Sequence, residues 1–150
     1  MTSPHPGTPL LAGLSETQRS TLAATGRIED YEPGTRLFDE SGEADRCWLI
    51  ISGRVAVDTY IPHRGPVTLQ SVGPGELLGW SWLIPPYRWH FGAVAVAPTR
   101  ALVLDAGQVR ALVETDPELG YRLTRILLET LVDRLQATRL RLLDLYRTPA

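Results

Sequence analysis

Lysine is absent from this 150-residue chain, and all fifteen basic side chains are arginine. A GC-rich coding bias accounts for that choice. The formal net charge of −2 excludes a general electrostatic grip on nucleic acid, which needs a strongly basic surface. The single cysteine, Cys47, excludes an internal disulfide. It sits in the apolar run CWLII, where a buried, inert thiol is expected. No apolar stretch approaches the length of a membrane span. The N-terminus, MTSPHPGTP, lacks the basic start and long apolar run of a signal peptide. A cytoplasmic protein without membrane contact is expected. His5, His63 and His90 have no metal-ligand spacing with one another or with Cys47. Ser15, Ser52 and Ser81 lack the context of a nucleophile elbow. No metal, no cofactor and no catalytic residue is expected, so the chain does not read as an enzyme.

What remains is an ordinary globular composition, 43% hydrophobic and 21% charged, long enough for one domain with one core. Residues 1–9 are rich in Pro, Ser and Thr and read as a disordered tail. The domain follows over 10–150. Residues 10–25 look helical, with a capping box at Ser15 and Gln18 and Gly26 as the stop. From about 28 to 105, short apolar runs alternate with turn signals. Pro33-Gly34, Ser41-Gly42, Ser52-Gly53, Arg64-Gly65 and Gly73-Pro74-Gly75 supply them. That spacing suggests a β-sandwich or barrel. Val55, Val57 and Thr59, then Val67, Leu69 and Ser71, form a hairpin pattern. The C-terminal helices span about 106–146. Val109, Leu112 and Val113 mark a short one. Asp116 as N-cap and Pro117 at the first position open a long one.

That long helix carries two apolar stripes. Leu119, Leu123, Ile126 and Leu127 form one. A heptad ladder on Tyr121, Thr124, Leu128, Leu131, Leu135, Thr138, Leu142 and Leu145 forms the other. One can pack on the β-body. The other is left for a partner helix, which predicts a homodimer through Leu128, Leu131, Leu135, Leu142 and Leu145. The helix also bears Arg122, Arg125, Arg134, Arg139, Arg141 and Arg147 against Glu118, Glu129, Asp133 and Asp144. These read as a solvated face, not a DNA-binding one.

The segment GPGELLGWSWLIPPYRWHFGAVAV, residues 73–96, holds three of the four tryptophans, a Pro-Pro pair and His90. Apolar and aromatic walls with a few polar groups suit a lined pocket. Arg88 and His90 are two apart, so on an extended strand they would face one side.

Residues 34–57, GTRLFDESGEADRCWLIISGRVAV, closely resemble the first half of the cyclic-nucleotide-binding domain. A Pro-Gly turn, a Gly-x-x-x-Asp turn (Gly42 to Asp45) and a strand ending in Ser52-Gly53 carry the likeness. SVGPGELLGWSWL resembles that family's turn into its phosphate-binding cassette, and AVAVAPTRALVLD the strand pair leaving it. The resemblance covers about residues 10–146 and is to the effector domain of bacterial catabolite-activator-type regulators. It implies a mainly β fold with flanking helices: a β-roll, or double-stranded jelly roll, with a short N-terminal helix and a long dimer-type C-terminal helix. Regulation by repositioning that helix is implied as well.

The cassette departs from the family's pattern. Gly75 fits the preceding turn, so the cassette opens at Leu78-Gly79-Trp80. Trp80 then stands where the resemblance implies the glutamate that holds the ribose. At the far end, before Ala93, His90 stands where it implies the arginine that grips the cyclic phosphate. With both charges missing, ordinary cyclic AMP or cyclic GMP binding is not expected. Three uses stay open. Trp80, Trp82, Trp89, Arg88 and His90 could hold another small molecule. The aromatics could fill the old pocket, leaving a ligand-free scaffold. Or the segment could dock a regulated protein. In the activators a helix-turn-helix follows the long helix. Here the chain stops at Ala150, so a stand-alone module without specific DNA binding is expected.

Overall fold

The computed structural model describes residues 13–147. The tail expected at 1–9 lies outside them. Helix α1 (Glu16–Ala23) starts as its sequence dictates. Ser15 Oγ accepts the Gln18 N–H at 3.1 Å, and Gln18 Oε1 accepts the Ser15 N–H at 2.9 Å, so two exposed donors of the first turn are satisfied reciprocally. The helix stops at Ala23, ahead of Gly26. That glycine instead opens β1 (Gly26–Tyr31). It pairs with Leu104, and a Cβ there would collide with the Val103 carbonyl oxygen. Close approach between strands, not a helix stop, explains it.

The remaining strands are β2 (Arg36–Phe38), β3 (Arg46–Ser52), β4 (Val55–Ile61), β5 (Gly65–Val72), β6 (Leu77–Leu78), β7 (Gly92–Ala95) and β8 (Thr99–Asp105). Among the described residues they form two four-stranded antiparallel sheets, ordered β1-β8-β3-β6 and β2-β7-β4-β5. The core draws on both: Trp48, Ile50 and Val103 from one sheet, Val55, Val57 and Ala93 from the other. Cys47 is buried in it, and burial pushes its thiol pKa up. The mainly β roll read from the sequence over 28–105 runs from Gly26 to Asp105.

The β4–β5 hairpin forms, with a register shift after Val57. The expected alternation breaks at Asp58, which is buried. Arg36 explains it: Nη1 and Nη2 donate to the two carboxylate oxygens at 2.9 and 3.0 Å. A bidentate, charge-assisted pair offsets the desolvation of the acid. Asp58 lies opposite Gly92. A Cβ at Gly92 would strike Arg36 Nη2 and come within 2.7 Å of Asp58 Oδ1. The ion pair therefore leaves no room for a side chain at the first residue of β7.

Asp105 closes β8 and caps helix α2 (Ala106–Thr115), its Oδ1 accepting the Gln108 N–H at 2.8 Å. Asp116 then accepts the Leu119 N–H at 3.2 Å and starts helix α3 (Pro117–Arg147). Its 31 residues extend about 46 Å at 1.5 Å per residue. Among the described residues no helix is long and apolar enough to cross a membrane, and no group of three or more His, Cys, Asp or Glu side chains could hold a metal ion.

Candidate ligand-binding cassette and helix face

The cassette spans the turn-rich stretch between β6 and β7. It opens at buried Leu78, opposite Trp48 in register. Gly79 follows with φ at +78°, a conformation that costs other residues steric strain. Its carbonyl accepts the Trp82 indole N–H at 3.1 Å. That bond satisfies the polar edge of a buried ring. Tyr87 also adopts a positive φ, and its carbonyl accepts the Ala44 N–H at 2.8 Å. Two further bonds, Ser41 N–H to the Trp89 carbonyl and Trp89 N–H to the Gly42 carbonyl, zip the returning limb onto the 41–44 turn.

The aromatic side chains turn inward. Trp82 and Trp89 keep only 1% and 2% of their surface. Trp89 stacks on Phe38, with ring centroids 3.8 Å apart and planes at 11°. Trp48 flanks both rings at 5.3 and 6.1 Å. Phe91, also buried, lies 6.2 Å from Trp89. Trp80 is half-buried and meets Phe91 edge-on at 5.9 Å. Ala93 lies fully buried in β7. A Cβ at Gly79 would come within 2.7 Å of the Trp89 ring.

The polar residues turn outward. Arg88 and His90 are exposed while Trp89 and Phe91 are buried. The two do share a side, and that side is solvent. The Arg88 guanidinium donates to the Ser41 carbonyl at 3.3 Å. A ring nitrogen of His90 lies 3.3 Å from Ser81 Oγ. Sequence reasoning missed Arg110, which no local motif marks. From α2 it donates to the Trp82 carbonyl at 2.5 Å and lies over the Tyr87 ring, 4.1 Å from its centroid. One cation thereby ties Trp82 and Tyr87 of the cassette to α2.

The cyclic nucleotide-binding domain model matches residues 28–116. The chain belongs to the cyclic nucleotide-binding domain family. It is 29% identical over 139 residues to the CRP-like cAMP-activated global transcriptional regulator of Mycobacterium tuberculosis, matching 93% of this chain and 60% of that protein. It is 29% identical over 123 residues to the cyclic AMP receptor protein of Thermus thermophilus, matching 81% of this chain and 56% of that one. The chain thus spans less than two thirds of these relatives. Among solved structures, a putative cyclic nucleotide-binding protein of Geobacter metallireducens superposes with TM-score 0.77 at 27% identity, over 90% of this chain and 99% of that one. The catabolite activator protein of Thermus thermophilus does so with TM-score 0.72 at 27% identity, over 91% and 63%. A CRP-like regulatory fold with bacterial relatives follows.

Within this family fold, α3 divides as its two stripes suggest. Leu119, Leu123 and Leu127 are buried and Ile126 packs against the core. Leu128, Leu135, Leu142 and Leu145 keep 51–77% of their surface exposed. Leu131 departs from that ladder: it is half-buried, four residues beyond Leu127 on the body-facing row. Val132 is exposed in its place. Grooves of about 380 and 550 Å³ run beside this face, lined by Tyr121, Ile126, Leu128 and Val132 among others. Arg122 and Arg125 pair with Glu118 and Glu129 as a solvated face should. Arg134 does not belong to that face. Its side chain is 17% exposed, with Nη2 3.7 Å from Glu76 Oε2.

Proposed function

We propose that this chain is a regulatory module of the cyclic nucleotide-binding family whose cassette is filled by its own aromatic rings. It takes neither cyclic AMP nor cyclic GMP there and acts through α3, as a homodimer, in the cytoplasm. The stack of Trp89 on Phe38 carries this reading. The volume between Gly79 and β7 is held by Trp89 and Phe91, and the candidate polar contacts, Arg88 and His90, face away from it. A ligand would have to displace buried indoles, each worth about 3–5 kcal/mol when truncated from a core. A pocket for another small molecule at Trp80, Trp82 and Trp89 fits poorly with that burial. Docking of a regulated protein on Trp82 or Trp89 fits no better, since neither offers a free face. The exposed row Leu128, Val132, Leu135 and Leu142 supports a second copy as the partner, because such a row spans several turns and leaves apolar area that water disfavours.

Isothermal titration of the purified chain with cyclic AMP and cyclic GMP tests the cassette reading. No submillimolar binding is expected from either nucleotide. Binding at that affinity by either one overturns it.

A further inference from the structure

We propose that the Arg134 guanidinium is the recognition group for a small oxyanion, a phosphate or carboxylate group, taken up between α3 and the Gly73–Glu76 turn. Arg134 Nη1 and Nη2 are both buried, and neither has a hydrogen-bond partner. Arginine cannot escape this by losing its proton. A buried donor left unmade costs about 1–3 kcal/mol, and more when charged. Such a group calls for an acceptor.

Glu76 is only half an answer. Its Oε2 stands 3.7 Å from Arg134 Nη2, beyond hydrogen-bond length. Its Oε1 is already engaged by the Gly73 N–H at 2.7 Å. The carboxylate therefore substitutes weakly for an acceptor that the fork of a guanidinium would hold through two parallel bonds. Burial also pulls the Arg134 pKa down, with the Glu76 charge opposing it. That direction fits a cation whose surroundings do not compensate it.

Access follows from how α3 is held. From residue 132 to 146 every residue except Arg134 is exposed. Beyond Arg134, Arg141 reaches back to the roll by donating to the Leu69 carbonyl at 3.4 Å. A segment with so few ties to its own roll shifts against it at small cost, even where its opposite face meets a second copy. Opening exposes the guanidinium, and Glu76, with a side chain 41% exposed, can turn to water as the anion enters. Uptake then changes how α3 rests on the roll, because the bridging group sits between them. The cassette rings take no part.

Thermal unfolding of the intact chain, with Arg134→Met and Glu76→Gln, tests this. Inorganic phosphate and succinate are compared at one ionic strength set with sodium chloride. General salting effects act equally on all three proteins. Phosphate, succinate or both should raise the midpoint of the wild type about 2 °C further than that of Arg134→Met, by preferential binding to the folded state. Response to phosphate alone assigns a phosphate-type ligand; response to succinate alone assigns a carboxylate. Glu76→Gln should bind the active anion about threefold tighter, as expected from losing a partly exposed competitor. Should Arg134→Met fail to fold, the Glu76→Gln comparison decides alone. Equal rises in wild type and Arg134→Met, or no tightening in Glu76→Gln, overturn the proposal. Cyclic-nucleotide titration bears on the cassette and leaves this result untouched.

Discussion

Trp89 lies flat on Phe38, with centroids 3.8 Å apart and planes 11° from parallel. The contact joins the far limb of the cassette to β2, fifty-one residues earlier in the chain, while backbone bonds from Trp89 tie the same limb to the turn at Ser41 and Gly42. An aromatic pair adds about 0.5–1.5 kcal/mol to the burial of two such rings.

The same packing makes Gly79 hard to replace. Gly79→Ala combines a left-handed φ of +78° with a Cβ 2.7 Å from the Trp89 ring. The conformation alone costs about 1–2 kcal/mol, and the overlap adds to it. Urea unfolding should show a loss of at least that size. An unchanged midpoint would mean that Trp89 yields freely and that the cassette is not tightly filled.

Arg110→Met should release the cassette from α2 while keeping most of the side chain's length. It removes the bond to the Trp82 carbonyl and the contact over Tyr87. Hydrogen exchange should quicken across residues 80–89 and leave β3 and β8 unchanged. Uniform acceleration throughout the roll would point to general destabilisation instead.

The α3 face separates two kinds of variant. Leu135→Arg, at an exposed position, should give a folded monomer from a dimer by light scattering. Val132→Arg should do the same. Leu131→Arg should cost fold stability instead, since half-buried Leu131 continues the body-facing row. A monomeric wild type at micromolar concentration removes the dimer from consideration.

Tyr31 supplies a pH signature. Its hydroxyl accepts the Trp48 indole N–H at 2.9 Å and donates to Glu29 Oε1 at 2.7 Å. Burial, then the Glu29 carboxylate, push its pKa up to about 12 from 10.0. The folded value exceeds the unfolded one, so the contribution is complete below the unfolded value of 10.0 and is lost as pH rises to about 12. Tyr31→Phe should flatten the decline in stability across that window. An equal decline in both proteins would assign it to other groups.

Much of the fold was legible because it rests on local rules. Ser15 with Gln18, and Asp116 before Pro117, place helix starts through bonds only a few residues long. The turn glycines Gly34, Gly53, Gly65 and Gly75 sit at positive φ between runs, so punctuation alone marked the strands. Gly26 misled because its constraint comes from Val103, far along the chain. Arg134 misled for the same reason: helical spacing counts charges on a face but does not say that one of them is buried beside Glu76, far back in the chain.

By itself the sequence determined the β-roll between flanking helices, the aromatic-rich make-up of the cassette and the double stripe on α3. Each depends on residue type, period or backbone preference within a short window. Only the tertiary structure decided that the cassette's rings point into the core and its charges out, that Leu131 is half-buried while Val132 is exposed, and that Nη1 and Nη2 of Arg134 are buried without a hydrogen-bond partner. Those outcomes depend on which distant surfaces meet, and burial is a property of the pair in contact rather than of either residue.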